Sequence, residues 1–300
     1  MRPAAQALVP WLRALRPKQW TKNAVVLAAY FFALGDTRLA LPYAAGWRAL
    51  AAAGLFCLLA SAVYLANDVR DRARDQAHPT KRLRPIAAGQ VPVGGALFLA
   101  GGLALAGLLG AVLLGGLLPW VFGAYILLQV AYTLGLKHVA LLDLFVIAAG
   151  FVLRALSGAV ALPAPISPWL LLCAFLLALF LALGKRRHEK VVESNTGGAS
   201  RPALDGYSEK LLDQLIGIVC AAVIVSYALY TLAPETVAKF GSARLGLTVP
   251  FVVFGLFRYL DLIYRHEQGG RPEQILLTDR PLLVNLALYG LTVLGLLLLR

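Results

Sequence analysis

Residues 49–75 read ALAAAGLFCLLASAVYLANDVRDRARD, an apolar run that ends in a dense group of charged residues. Within this stretch, Asn67, Asp68, Asp71 and Asp75 follow the spacing N-D-x-x-D-x-x-x-D. On a continuous helix, offsets of three and seven place the three aspartates on one face, about one turn apart. Oxygen ligands of this kind suit Mg²⁺, which usually shares its coordination shell with substrate phosphates. The motif therefore predicts Mg²⁺ ligands at all four residues and a catalytic role for the three aspartates.

The composition of the chain places this motif at the edge of a membrane. Of its 300 residues, 60% are hydrophobic and 14% are charged, and the mean hydropathy is +0.74. A soluble domain does not need so much apolar surface, because its exterior must face water. We therefore expect an all-helical membrane protein that forms a single domain over residues 1–300, without a removable signal peptide. Nine transmembrane helices are predicted, at roughly 24–40, 49–66, 93–116, 118–136, 141–161, 168–184, 212–234, 245–264 and 281–299.

The distribution of positive charge predicts the orientation of these helices. If the amino terminus is cytoplasmic, the inside segments carry 21 Lys and Arg residues and the outside segments carry 5. Loops on the cytoplasmic side are enriched in these residues. We therefore expect a multi-pass protein of the cell membrane, with its amino terminus cytoplasmic and its carboxyl terminus outside. A nucleic-acid partner is not expected, because the basic residues are scattered over membrane-edge loops and no recognition module is visible.

Two cytoplasmic segments, 67–92 and 185–211, are long and rich in both signs of charge. In the first, Lys81, Arg82 and Arg84 follow closely after the carboxylates. Metal-binding carboxylates followed by several cations suit a diphosphate, since the metal bridges its oxygens and the cations neutralise the remaining charge. Two simpler interpretations remain open here. The acidic motif also fits a solvated helix end with salt bridges to the interleaved arginines, and the basic residues also fit ordinary positive-inside flanking.

These residues resemble the first aspartate motif of the UbiA-type intramembrane prenyltransferase superfamily, which reads here Asn67-Asp68-x-x-Asp71-x-x-x-Asp75 and Lys81-Arg82-x-Arg84-Pro85. Further stretches resemble its decaprenyl-phosphate phosphoribosyltransferase branch: Arg16-Pro17-Lys18-Gln19-Trp20-Thr21-Lys22-Asn23, Leu136-Lys137-His138 with Leu142-Asp143, Phe151-Val152-Leu153-Arg154-Ala155, and Gly184-Lys185-Arg186-Arg187-x-Glu189. The resemblance implies a cytoplasm-facing active site that transfers 5-phosphoribose from phosphoribosyl diphosphate to a polyprenyl phosphate and releases diphosphate.

The second cytoplasmic segment departs from the ordinary prenyltransferase pattern. Typical members carry a second aspartate cluster after the sixth helix, where this chain reads Lys185-Arg186-Arg187-His188-Glu189-Lys190. A prenyl diphosphate held between two metal-loaded clusters is harder to build with this sequence. A donor that carries a diphosphate and a separate 5-phosphate needs one metal site and additional cations, which Lys185 and Arg186 are predicted to supply. The alternative for this run is again a positive-inside anchor.

The resemblance and the placement of polar residues near helix ends extend the predicted site. Asp143 is expected at the cytoplasmic mouth of the bundle. Arg154 lies deeper on the same face, where a charge needs a partner or a cavity, so it either braces the bundle or lines the site. Predicted substrate-binding residues are Lys18, Lys22, Lys81, Arg82, Arg84, Tyr132, Lys137, Asp143, Arg154, Lys185, Arg186, Glu189 and Tyr207.

Two other functions remain open on the sequence alone. The first is an ordinary prenyltransferase that joins a prenyl diphosphate to an aromatic or other acceptor. The second is a transporter or lipid-binding membrane protein, against which the few ionisable residues within the predicted spans argue. The expected partners are phosphoribosyl diphosphate, a polyprenyl phosphate lipid and the membrane itself, and assembly into a homo-oligomer is compatible with the sequence.

Overall fold

A computed structural model describes residues 4–36, 38–39, 41–78, 80–162, 164–196, 202–266, 268–270 and 272–298. Every regular element in these residues is a helix, which confirms the all-helical prediction. The α-helices in chain order are α1 (Ala4–Ala14), α2 (Val25–Leu34), α3 (Gly46–Arg70), α4 (Arg72–Ala77), α5 (Val93–Leu114), α6 (Leu118–Leu134), α7 (Leu142–Val160), α8 (Pro168–Thr196), α9 (Pro202–Asp205), α10 (Glu209–Leu232), α11 (Pro234–Phe240), α12 (Val249–Tyr264), α13 (Pro272–Thr278) and α14 (Arg280–Leu298).

An apolar helix lies at each of the nine predicted spans, but not all nine are full-length membrane helices. Among the described residues, six helical segments are long and apolar enough to cross a membrane: α3, α5, α7, α8, α10 and the segment Ala243–Tyr264 that contains α12. The apolar helices α6 and α14 are shorter. The first predicted span, 24–40, contains only the ten residues of α2, because this helix ends at Leu34, before Gly35.

The structure also changes both predicted cytoplasmic segments. Helix α3 continues past residue 66 to Arg70, and the chain bends at Asp71 before α4 begins. Helix α8 does not end at residue 184 but continues to Thr196, so the basic run is helical rather than a loop. At 29 residues, α8 is about 43 Å long and exceeds the ~30 Å hydrocarbon core of a bilayer. Residues 197–201 of the second segment, and Arg300 at the predicted outside terminus, lie outside the described residues.

The helices that carry the site residues pack closely against one another. Helix α3 packs along α5, and α7 packs against α2, α6 and α8. Gly158 on α7 permits the approach of α2, since a Cβ atom at this position would lie 1.8 Å from the carbonyl oxygen of Val26. Phe56 on α3 packs edge-on against Phe122 on α6, with ring centroids 5.2 Å apart. These contacts pack α3 against α6 and α7 against α2.

Candidate active site

Two of the three predicted aspartates converge on one basic side chain. Nη1 of Arg84 donates hydrogen bonds to Oδ1 of Asp68 at 3.2 Å and to Oδ2 of Asp75 at 2.6 Å. Both carboxylates are buried. The guanidinium of Arg84 therefore lies between two buried carboxylates. Carboxylate oxygens are the ligands that a hard cation such as Mg²⁺ requires.

The third aspartate, Asp71, pairs with a different basic residue. Nζ of Lys137, in the 3₁₀ turn Leu136–His138 after α6, lies 2.9 Å from Oδ1 of Asp71. The predicted helix is not continuous, because α3 ends at Asp71, whose backbone torsions are φ −87° and ψ 6°. Asp71 does not share the basic partner of Asp68 and Asp75. In the described part of the chain, no three Asp, Glu, His or Cys side chains are gathered as a metal site. The carboxylates of Asp68, Asp71 and Asp75 are instead neutralised by basic residues.

Asn67 is held by the neighbouring helix α6. Oγ1 of Thr133 lies 2.6 Å from Oδ1 of Asn67 and 2.7 Å from the carbonyl oxygen of Gln129. This contact fixes the amide of Asn67 beside the acidic residues, at the end of α3 where the predicted metal ligands begin.

The basic trio after the aspartates does not act as one group. Arg84 reaches the acidic pair, whereas Arg82 is exposed and Lys81 begins the short 3₁₀ turn Lys81–Leu83. Nearby, burial and the charge of Lys81 lower the pKa of His78, and the charge of Asp75 partly opposes this effect. His78 is therefore neutral near pH 7. Of the trio, Arg84 is the residue that contacts the acidic pair.

In the second basic run, residues 185–190, Arg186 is buried. Arg186 is 2% exposed, and its Nε and Nη1 donate to Asp143 at 2.6 Å and to Glu189 at 2.5 Å. The hydroxyl of Tyr207 donates to Asp143 at 2.7 Å and accepts from the backbone N–H of Leu141. Burial, followed by the hydrogen bond to Asp143, raises the pKa of Tyr207, so the phenol remains protonated.

This network corrects the expected roles of four residues. Arg186, Asp143, Glu189 and Tyr207 contact one another rather than present their polar groups to an open site. A buried guanidinium requires carboxylate partners, because removing a charge from water is costly unless it is paired. The network therefore joins α7, α8 and the segment before α10, and its members support the site instead of lining it.

The neighbouring cations remain accessible. Lys185 is 41% exposed in its side chain, with Nζ 4.0 Å from Glu189. Lys18 is exposed, and Lys22 and Tyr132 are half-buried. These four residues are thus less buried than Arg186.

Arg154 is a brace within the bundle. Its Nε, Nη1 and Nη2 each donate at 2.9 Å, to Oδ1 of Asn23, the carbonyl oxygen of Gly150 and the hydroxyl of Tyr125. The guanidinium also lies 5.0 Å from the ring centroids of Tyr125 and Phe151, within cation–π range. Of the two roles expected for Arg154, the structure favours bracing, and its assignment as a substrate contact is not supported.

An apolar cavity of about 350 Å³ lies between α2, α7, α8, α10, α12 and α14. Its walls are mainly aliphatic and aromatic, with few polar groups. Ala29, Ala174, Phe180 and Leu256 are among the lining residues. An acyclic hydrocarbon chain matches this surface better than a charged substrate does.

Sequence reasoning missed several polar contacts in this region. Arg16, whose side chain reaches Asp68, belongs to a stretch quoted for its resemblance but was not predicted as a site residue. Thr133, Asn23 and Tyr125 carry no local signal, because their partners lie on other helices.

Comparison with known proteins identifies the family. Residues 23–277 match the UbiA prenyltransferase family. The chain belongs to the UbiA prenyltransferase family. A UbiA homolog from Archaeoglobus fulgidus, solved bound to GPP and Mg²⁺, superposes with a TM-score of 0.71 at 18% identity, covering 96% of this chain and 99% of that one. This likeness confirms the UbiA fold. The family match and the six long apolar helices of the described residues indicate a multi-pass membrane protein.

More similar sequences are known within the UbiA family. A decaprenyl-phosphate phosphoribosyltransferase from Mycolicibacterium smegmatis is 39% identical over 281 residues, which covers 90% of this chain and 87% of that protein. A protein of the same name from Mycobacterium tuberculosis is 38% identical over 281 residues, covering 93% of this chain and 91% of that protein. These relatives confirm the branch that the motifs indicated.

Proposed function

We propose that this protein transfers 5-phosphoribose from phosphoribosyl diphosphate to a decaprenyl-type polyprenyl phosphate and releases diphosphate. The observation that carries this proposal is 38–39% identity, along about nine-tenths of the chain, to proteins named for that reaction. Lys185, an accessible cation where typical family members carry a second aspartate cluster, agrees with it. In this proposal residues 1–300 act as one catalytic domain, with the amino terminus cytoplasmic and the carboxyl terminus outside.

The donor end of the reaction is assigned to the acidic motif. Asn67, Asp68, Asp71 and Asp75 are the proposed holders of Mg²⁺, and the position of Arg84 between two of these carboxylates supports the assignment. Bound there, Mg²⁺ supplies positive charge to the departing diphosphate. Arg84 would donate hydrogen bonds to the diphosphate, because charge-assisted bonds to an oxyanion stabilise the leaving group.

The transfer step needs little proton chemistry. An oxygen of the lipid phosphate is already anionic, so it attacks C1 of the ribose without a strong general base. The new bond forms between that oxygen and C1 while the bond from C1 to the diphosphate oxygen breaks, and the electron pair leaves with the diphosphate. Attack from the opposite face inverts the configuration at C1. Lys81, Lys137 and Lys185 supply cations around these phosphates.

The acceptor lipid is assigned to the apolar cavity. Its aliphatic and aromatic walls suit the isoprene units of a polyprenyl chain. In this proposal the charged residues at the cytoplasmic ends of the helices bind the phosphate head of the lipid, and the apolar cavity holds its hydrocarbon tail.

A donor-selectivity assay tests this function. Detergent-purified protein with Mg²⁺ and polyprenyl phosphate is expected to release diphosphate from phosphoribosyl diphosphate. In parallel reactions, prenyl diphosphate with aromatic acceptors is expected to give no product. Turnover of prenyl diphosphate with none of phosphoribosyl diphosphate would instead identify an ordinary prenyltransferase.

A further inference from the structure

The turn between α1 and the Pro17–Ala24 helix holds Arg16 in an unusual backbone conformation. Its torsions of φ 55° and ψ 56° lie in the left-handed region, which non-glycine residues seldom adopt. Ser61 on α3 fastens this turn on both sides. Its Oγ donates to the carbonyl oxygen of Leu15 at 3.0 Å and accepts from Nε1 of Trp20, also at 3.0 Å. Arg16 is thus held between two anchored neighbours.

The anchored turn directs Arg16 to the acidic motif. Nη2 of Arg16 contacts Oδ1 of Asp68, the same oxygen that accepts a bond from Arg84. The guanidinium also lies 5.2 Å from the ring centroid of Tyr64. Ser61, Tyr64 and Asp68 are spaced by three and four residues, so α3 presents the anchor, the aromatic platform and the carboxylate along one face. Such an arrangement delivers a cation to a predicted metal ligand.

The charges in this cluster are balanced by the protein itself. Three aspartates are paired with Arg16, Arg84 and Lys137. A divalent cation that arrives alone therefore meets resident positive charges on the ligands it needs, and the two repel at short range. A divalent cation that arrives with a diphosphate brings anionic oxygens to which the displaced guanidinium can transfer.

We propose that Arg16 is a resident counter-cation that competes with the metal for Asp68 and passes to a donor phosphate when metal and diphosphate bind together. Ser61 and Trp20 are positioning residues for this exchange. The transfer of Arg16 to a donor phosphate rests on the proposed function for the identity of the donor. The competition at Asp68 requires only a divalent cation. The enzyme consequently binds metal weakly in the absence of a diphosphate.

Binding of Mn²⁺ alone tests the competition without any turnover. Free Mn²⁺ is measured by electron paramagnetic resonance in micelles that contain the full chain and no donor. Arg16→Gln is expected to bind Mn²⁺ about ten-fold more tightly than the wild type, the scale of one lost charge-assisted contact. Arg13→Gln is the matched control, since Arg13 is an exposed cation on the same segment, and its affinity is expected to be unchanged.

Two further variants separate this role from a structural one. Arg16→Lys retains the competing charge and is expected to return the Mn²⁺ affinity toward that of the wild type. Ser61→Ala keeps Arg16 but loosens its turn, and an intermediate affinity is expected. In the presence of Mg²⁺, Arg16→Gln is expected to weaken binding of phosphoribosyl diphosphate about ten-fold.

The outcomes distinguish this inference from the proposed function. An Mn²⁺ affinity in Arg16→Gln that equals or falls below that of Arg13→Gln overturns the competition, even if the wild type transfers phosphoribose. Tighter Mn²⁺ binding in Arg16→Gln, together with a wild type that uses only prenyl diphosphate, supports the competition and rejects the proposed donor. A melting temperature for each variant in the same micelles shows that the compared proteins are folded.

Discussion

Lys185 and Arg186 carry the same charge and are adjacent in sequence. The structure nevertheless predicts that replacing Arg186 lowers the stability of the fold far more than replacing Lys185. Arg186 is 2% exposed and pairs with Asp143, which is fully buried, at 2.6 Å. Arg186→Ala leaves that carboxylate buried without a cation, which typically costs about 3–5 kcal/mol of folding free energy. Lys185 is 41% exposed and 4.0 Å from Glu189, so Lys185→Ala is expected to cost less than about 1 kcal/mol.

The assay is unfolding in mixed micelles by titration with SDS, followed by tryptophan fluorescence. Arg186→Ala is expected to unfold at a much lower SDS fraction than the wild type, and Lys185→Ala close to it. Combining Arg186→Met with Asp143→Leu is expected to recover part of the loss, because the unpaired buried charge is then removed. If the two alanine variants unfold at the same SDS fraction, the ion pair between Arg186 and Asp143 does not stabilise the fold.

The kinetics of Lys185→Ala complete this comparison. Loss of a phosphate contact of about 1.5–3 kcal/mol corresponds to roughly a ten- to hundred-fold change in the constant that senses it. Lys185→Ala is therefore expected to raise KM for the donor or lower kcat while leaving stability intact. Unchanged constants for both donor and lipid would return Lys185 to the role of a membrane-edge anchor.

Further substitutions test the metal motif, the helix packing and the cavity. Asp68→Asn and Asp71→Asn are expected to abolish turnover without affecting membrane insertion, and near-normal activity of either at saturating Mg²⁺ would rule out its role as a ligand. Gly158→Ala is expected to destabilise the fold by about 1–3 kcal/mol or more in SDS titrations, because its methyl group meets the backbone of α2, whereas Gly217→Ala has open space and should be neutral. Ala174→Phe narrows the apolar cavity and is expected to raise KM for the lipid but not for the donor; the opposite pattern would place the tail elsewhere.

Local patterns in the sequence were sufficient for the parts of the site that depend on neighbouring residues. The apolar runs predicted the positions of the helices. The spacing from Asp68 to Asp75 predicted three carboxylates on one face, of which Asp68 and Asp75 share a basic partner in the structure. Arg84 is close to them in sequence, and it does contact both. The bend at Asp71 was not predictable from local signals, because neither glycine nor proline occurs there.

Burial and long-range pairing were not readable in the same way. A sequence shows the charge of Arg186 but not that α7 and the segment before α10 complete its buried network. Arg16 lies 52 residues from Asp68, and Asn23 lies 131 residues from Arg154, so these contacts depend on how the helices pack. Charge and the family resemblance therefore placed Arg154 and Arg186 among the substrate contacts, whereas in the structure both are held by buried partners.

The mass of the lipid product tests the proposed reaction most directly. Purified protein incubated with Mg²⁺, phosphoribosyl diphosphate and decaprenyl phosphate is expected to yield a lipid whose mass has increased by one phosphoribosyl group, with one diphosphate released for each lipid formed. A lipid of unchanged mass in these reactions, together with a prenylated acceptor when prenyl diphosphate is supplied, would contradict phosphoribosyl transfer and assign the chain to the prenyl-transferring members of its family.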